Sequence, residues 1–119
     1  MEHLALAVRD QQRSLHFYST YFGFDPATAK PYDDGVIIVR DAKGFSLALG
    51  PTNDAPTMPP FFHFGFHAED PDAVWAMRER LAADGVEIVG EWDEPAYASV
   101  KCLDPDGYVV EYGWEPPRI

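Results

Sequence analysis

The chain repeats itself. His3 and His63 stand 60 residues apart, as do Asp10 and Asp70, and Gly23 and Gly85 stand 62 apart. Towards the end of each half, RDAKGFSLALG (residues 40–50) lies over LDPDGYVVEYG (residues 103–113) at an offset of 63, matching Asp41 to Asp104, Gly44 to Gly107 and Gly50 to Gly113. The drift from 60 to 63 amounts to three residues inserted in loops of the second half. Both ends of the unit register at once, so 119 residues are read as two like modules that complete one domain together.

Each module has the same order of elements. HLALAVRD is a short apolar strand ending at Asp10, a helix N-cap, and QQRSLHFYSTYFGF places Leu15, Tyr18, Tyr21 and Phe22 at helical spacing before Gly23 stops the helix. Residues 25–31 give a mixed signal. GVIIVRDAKGFSLALG is two strands around a turn at residues 41–44. PTNDAPTMPP, residues 51–60, is too rich in proline for a helix or an interior strand and reads as a linker. The order then restarts: FFHFGFHA is a strand, Asp70 and Pro71 open a helix, Val74, Met77 and Leu81 share its apolar face, and Gly85 closes it. VEIVGEW, YASVKCL and YVVEYGW are three further strands.

Alternation along three of these strands isolates the polar candidates. His3, Ala5 and Ala7 oppose Leu4, Leu6 and Val8; His63, Gly65 and His67 oppose Phe62, Phe64 and Phe66; Val109, Glu111 and Gly113 oppose Val110, Tyr112 and Trp114. Each strand thus has one bulky apolar face, suited to packing on a helix. The other face carries His or Glu among small residues that leave room for a ligand. Two imidazoles and a carboxylate converging there would make a 2-His-1-carboxylate set, which holds a divalent ion and leaves positions open. DPDG has the composition of a type I turn and is expected to fix the register of the strand that aims Glu111.

Charge and cysteine content narrow the classes. With 20 acidic against 9 basic residues the net charge is -11, which lacks the cationic footprint of a nucleic-acid binder. No apolar run approaches the roughly 18–20 residues of a membrane span. MEHLALAVRDQQ has neither the charged start nor the cleavage site of a signal peptide. Cys102 is alone, so no internal disulfide is expected, which suits a reducing cytoplasm; it reads as small apolar filler in a strand rather than a nucleophile.

HLALAVRD with FYSTYFGF, HFGFHAED and DPDGYVVEYGW together make nearly the whole chain resemble the vicinal oxygen chelate superfamily, the glyoxalase/bleomycin-resistance/extradiol dioxygenase proteins. The resemblance implies an α+β fold of two βαβββ modules, residues 1–50 and 61–114. Their curled mixed sheets pair to form a cup within a single domain, 1–119. It also implies ligand positions at the start of the first strand and in the last strand of each module: His3, His63 and Glu111 fall on three, Ala48 on the fourth. The implied function is a metal-dependent enzyme of dioxygenase or lyase type. Fe2+, Mn2+, Zn2+ or Ni2+ would bind a substrate with two neighbouring oxygens. His67 is an added acid/base or outer-shell candidate, and Tyr32, Trp92 and Tyr97 could line the pocket.

Ala48 cannot ligate, which weakens a lactoylglutathione-lyase reading, and no cluster of basic residues favours a phosphonate substrate. The rival reading is a metal-free, bleomycin-resistance-like protein that sequesters a cationic ligand, for which the acidic charge is apt. Family members of this length imply a homodimer, with modules exchanged in some cases. No nucleic-acid or membrane partner is expected.

Overall fold

A computed structural model describes residues 2–54 and 56–117. The chain divides into two compact units, Met1–Thr57 and Met58–Ile119. The first contains β1 (His3–Val8), α1 (Gln11–Phe22), β2 (Phe24–Pro31), β3 (Ile37–Asp41) and β4 (Ser46–Pro51). The second contains β5 (Phe64–His67), α2 (Pro71–Ala83), β6 (Ile88–Glu94), β7 (Tyr97–Leu103) and β8 (Val109–Trp114). Each unit holds one four-stranded mixed sheet, ordered β1-β4-β3-β2 in the first and β5-β8-β7-β6 in the second. In both, the first strand pairs parallel to the last and the remaining pairs are antiparallel. The α+β class and the βαβββ order read from the sequence are therefore present twice.

Helix boundaries follow from their caps. The Asp10 carboxylate accepts from the Arg13 amide and Asp70 from the Ala73 amide, while Pro71 fills the first turn of α2, where its missing N–H is no loss. Gly23 ends α1 in the left-handed region at φ 78°. Val74, Met77 and Leu81 are buried as their spacing predicts. On α1 the buried stripe is Ser14, Phe17 and Tyr18 rather than one running through Leu15.

The repeat extends to individual hydrogen bonds. The Asp41 carboxylate accepts from the amides of Lys43 and Phe45, and that of Asp104 from the amides of Asp106 and Tyr108, all at 2.9 Å. Gly44 and Gly107 close the two turns at φ 85° and 90°, each amide donating to the carbonyl of the aspartate three residues earlier. This turn sets the β7–β8 ladder, in which Lys101 faces Glu111 and Ser99 faces Gly113.

Two expectations shift. Residues 25–31, ambiguous in sequence, belong to β2. Its ladder to β3 skips between Asp25 and Lys30, where the Thr28 hydroxyl accepts from the Arg40 amide in place of a backbone carbonyl. An edge position tolerates its prolines and the irregularity. The strand expected over residues 61–68 is shorter, Phe64–His67, so His63 precedes β5 instead of lying within it. The Phe62 amide donates to the Pro59 carbonyl and Phe61 takes φ 73°, a turn that delays the strand.

Among the described residues, no helix is long and apolar enough to cross a membrane.

Candidate metal centre

β8 carries Glu111 between Val110 and Tyr112, and the alternation sends Val110 into the core while Glu111 faces the other way with Gly113. Small neighbours are required there. A Cβ on Gly65, Glu111's partner across the β5–β8 ladder, would come within 3.0 Å of the Glu111 carbonyl oxygen and 3.1 Å of its Cβ. Gly65, Gly113, Glu111, His67, Tyr97 and Trp114 line a cavity of about 290 Å³.

The two carboxylate oxygens of Glu111 have different partners. Oε2 accepts hydrogen bonds from the hydroxyls of Tyr97 and Ser99, which rise from β7 on the same face. Oε1 lies 3.9 Å from His63 Nε2. That gap is too long for a hydrogen bond, yet within the roughly 4.2 Å that two ligands at about 2.1 Å from one ion can span. The imidazole is oriented from its other side. His63 Nδ1 lies 2.8 Å from the Phe61 carbonyl, and since a carbonyl only accepts, Nδ1 carries the proton. In the neutral ring Nε2 then carries the free lone pair, and it is the nitrogen near Glu111. Phe61 holds its carbonyl there from the left-handed region, an arrangement costing a bulky residue about 1–3 kcal/mol.

Burial, and then the hydrogen bond to Glu111, raises the Tyr97 phenol above its ordinary pKa, so the hydroxyl stays protonated as a donor at neutral pH.

His67, also on this face and paired with Gly113, lines the cavity but is exposed. His3 belongs to the first unit. There it is exposed on β1 and lines a separate cavity of about 300 Å³ with Ser46 and Ala48, the residue matched to Glu111 by the repeat. The structure thus brings His63 and Glu111 together, and among the described residues no three His, Cys, Asp or Glu side chains form a group able to hold an ion. Of the aromatic candidates, Tyr97 holds the carboxylate, while Trp92 is part exposed on β6 and Tyr32 lies in the first unit beside Lys30. Ser99 escaped the sequence reading. The signal was available: with the 104–107 turn fixing the hairpin, Tyr97, Ser99 and Lys101 must share the face of Glu111.

Cys102 faces the opposite way and is 1% exposed. Burial first, and then the charge of Asp104, pushes its thiol up to about 12. The folded protein is expected to leave Cys102 unlabelled by a thiol reagent at pH 8 and to become labelled only on unfolding; rapid labelling of the native chain would contradict this burial. The folded thiol binds its proton more tightly than the unfolded one. Its stabilising contribution is therefore complete below the unfolded value near 9 and is lost as pH rises towards 12.

A sequence model described as the Glyoxalase/Bleomycin resistance protein/Dioxygenase superfamily matches residues 1–112. A trivalent organoarsenical cleaving enzyme of Bacillus sp. (strain MD1) is 30% identical over 117 residues, covering 92% of this chain and 70% of that protein. Catechol-2,3-dioxygenase of Bacillus subtilis (strain 168) is 28% identical over 118 residues, covering 95% of this chain but 40% of the longer enzyme. Among solved structures, the fosfomycin resistance protein FosX of Listeria monocytogenes, complexed with Mn(II) and sulfate, superposes with a TM-score of 0.80 at 19% identity. That match covers 98% of this chain and 90% of FosX.

Proposed function

The chain belongs to the Glyoxalase/Bleomycin resistance protein/Dioxygenase superfamily, and on that footing we propose that it is a metal-dependent enzyme acting on a small molecule with two neighbouring oxygens. The observation that carries this reading is the pairing of His63 Nε2 with Glu111 Oε1, each fixed from behind, by the Phe61 carbonyl on one side and the Tyr97 and Ser99 hydroxyls on the other. Oriented ligands backed by hydrogen bonds are the usual form of a metal site, and a satisfied surface pair has no need of them. His3 is the third ligand in this proposal, given by the same chain or by a second copy in a homodimer. The ion, one of Fe(II), Mn(II), Zn(II) or Ni(II), supplies Lewis acidity to negative charge developing on substrate oxygens.

The residues of this chain do the remaining work. Gly65 and Gly113 leave the space in which a substrate lies against the carboxylate. Tyr97 and Ser99 hold Glu111 still. An arsenical substrate, suggested by the Bacillus sp. relative, is disfavoured by the chemistry of this chain: trivalent arsenic seeks thiolates, and the lone thiol is buried, protonated and turned to the helix side. Oxygen donors on carbon are favoured instead, with dioxygenase or lyase chemistry. The net charge of -11 keeps one rival in view, a metal-free protein sequestering a cation.

Metal analysis by mass spectrometry on untagged protein, as purified and after incubation with each candidate ion, separates the two. About one tightly held divalent ion per chain is expected. No retained ion under any of these conditions removes the enzyme reading and leaves the sequestering one.

A further inference from the structure

Lys101 lies directly across the β7–β8 ladder from Glu111 and therefore on the same face of the sheet. In a chain with 20 acidic and 9 basic residues a lysine has carboxylates to choose from. Yet Lys101 makes no ion pair among the described residues, with Glu111 or any other. Its Nζ lies instead 4.6 Å from the centre of the Trp92 ring and 5.6 Å from that of Phe61, within cation–π range of both. The arrangement is built. Trp92 rests over Gly90, where a Cβ would come within 2.8 Å of the indole, so a larger residue there would displace the ring from its present place beside Lys101. Both aromatics remain open to a ligand, Trp92 at 40% and Phe61 at 86% exposed. Phe61 is also the residue whose carbonyl orients His63, so this patch adjoins the candidate ligands through one residue.

An ammonium without a carboxylate, flanked by exposed aromatic faces, suits a ligand that is both flat and negatively charged. A single cation matches a single negative charge; a phosphonate dianion would leave one unmatched in so acidic a chain. We infer that Lys101, with Trp92 and Phe61, recognises the carboxylate of a flat aromatic acid whose neighbouring ring oxygens lie towards Glu111. This names a substrate class for the site proposed above and rests on that reading. Lys101 is here a specificity-determining residue.

The test compares 3,4-dihydroxybenzoate with catechol, which differ by the carboxylate alone, by calorimetry and indole fluorescence, on Mn(II)-loaded and chelator-treated protein. Wild type is expected to bind the acid at least about tenfold more tightly than catechol. Lys101→Gln is expected to bring the two to within about twofold, Lys101→Arg to keep the preference, and Trp92→Ala to weaken both ligands. An unchanged preference in Lys101→Gln, no preference in wild type, or no binding of the acid at millimolar concentration overturns the inference, whatever the metal does. If Mn(II) leaves both affinities unchanged while the preference still depends on Lys101, the metal reading fails and this one stands.

Discussion

Glu111→Gln protein is expected to hold a divalent ion far more weakly than wild type and to keep its fold. The amide retains an oxygen able to accept from Tyr97 and Ser99, so the buried Ser99 hydroxyl is not stranded, and apo stability should change by about 1 kcal/mol or less. Glu111→Ala would confound the two effects by removing that acceptor. What the amide lacks is the negative charge a divalent ion requires of this position. The loss in metal affinity should exceed the roughly 10–100-fold that accompanies removal of an outer-shell partner. Tyr97→Phe supplies that smaller reference value, since it deletes one hydroxyl behind Oε2 and leaves Oε1 in place. Competition against a chelator of known affinity ranks the three proteins. Equal affinity in wild type and Glu111→Gln would remove Glu111 from the ligand set, and a Tyr97→Phe loss as large as that of Glu111→Gln would mean the phenol itself is a ligand.

Asp104→Ala is expected to be the most damaging single change in the two repeated turns, and Asp41→Ala its mild counterpart. Both aspartates accept two backbone amides at 2.9 Å, so a count of hydrogen bonds assigns them equal weight. Their surroundings differ. Asp104 is 5% exposed, and the amides of Asp106 and Tyr108 lie in a buried turn where water cannot replace the carboxylate. Two stranded donors at about 1–3 kcal/mol each should cost roughly 2–6 kcal/mol in total. That is enough to lower the melting temperature by about 6 °C or more in a chain of this size. The bonds of Asp41 are exposed or only partly buried, water takes them over, and about 1 kcal/mol is expected. Thermal denaturation of the two variants side by side decides the point; equal losses would show that burial is not what separates the two turns.

The same repeat explains what could be read from the amino acids. Caps at Asp10 and Asp70, stops at Gly23 and Gly85, and the Asp–Gly turns are local chemistry, and each has the hydrogen bond or positive φ that its residue type implies. The sidedness of β1, β5 and β8 was equally plain, because period-two alternation needs no knowledge of neighbours. β2 was obscured because edge strands obey no strong pattern, and its irregularity is mended by a threonine hydroxyl. Ser99 and Lys101 were missed for another reason. Their importance depends on which residue lies across the ladder, a non-local fact that the turn at residues 104–107 determines only once it is counted through. The turn at Phe61 was beyond sequence reasoning altogether, since a bulky residue at positive φ is what propensity argues against. That exception lies beside the candidate centre, where local rules are most often broken for function.

The unequal treatment of the two Glu111 oxygens has a consequence for denticity. A carboxylate with both oxygens free can clasp an ion from two directions and use two of its coordination positions. Here one oxygen already accepts from two hydroxyls, so Glu111 is disposed to act through the other alone. Three single-point protein ligands would leave positions open on the ion. Those positions would be open to a chelating pair of substrate oxygens. Tyr97 and Ser99, which fix the carboxylate in place, would then also set how many guests a bound ion could receive.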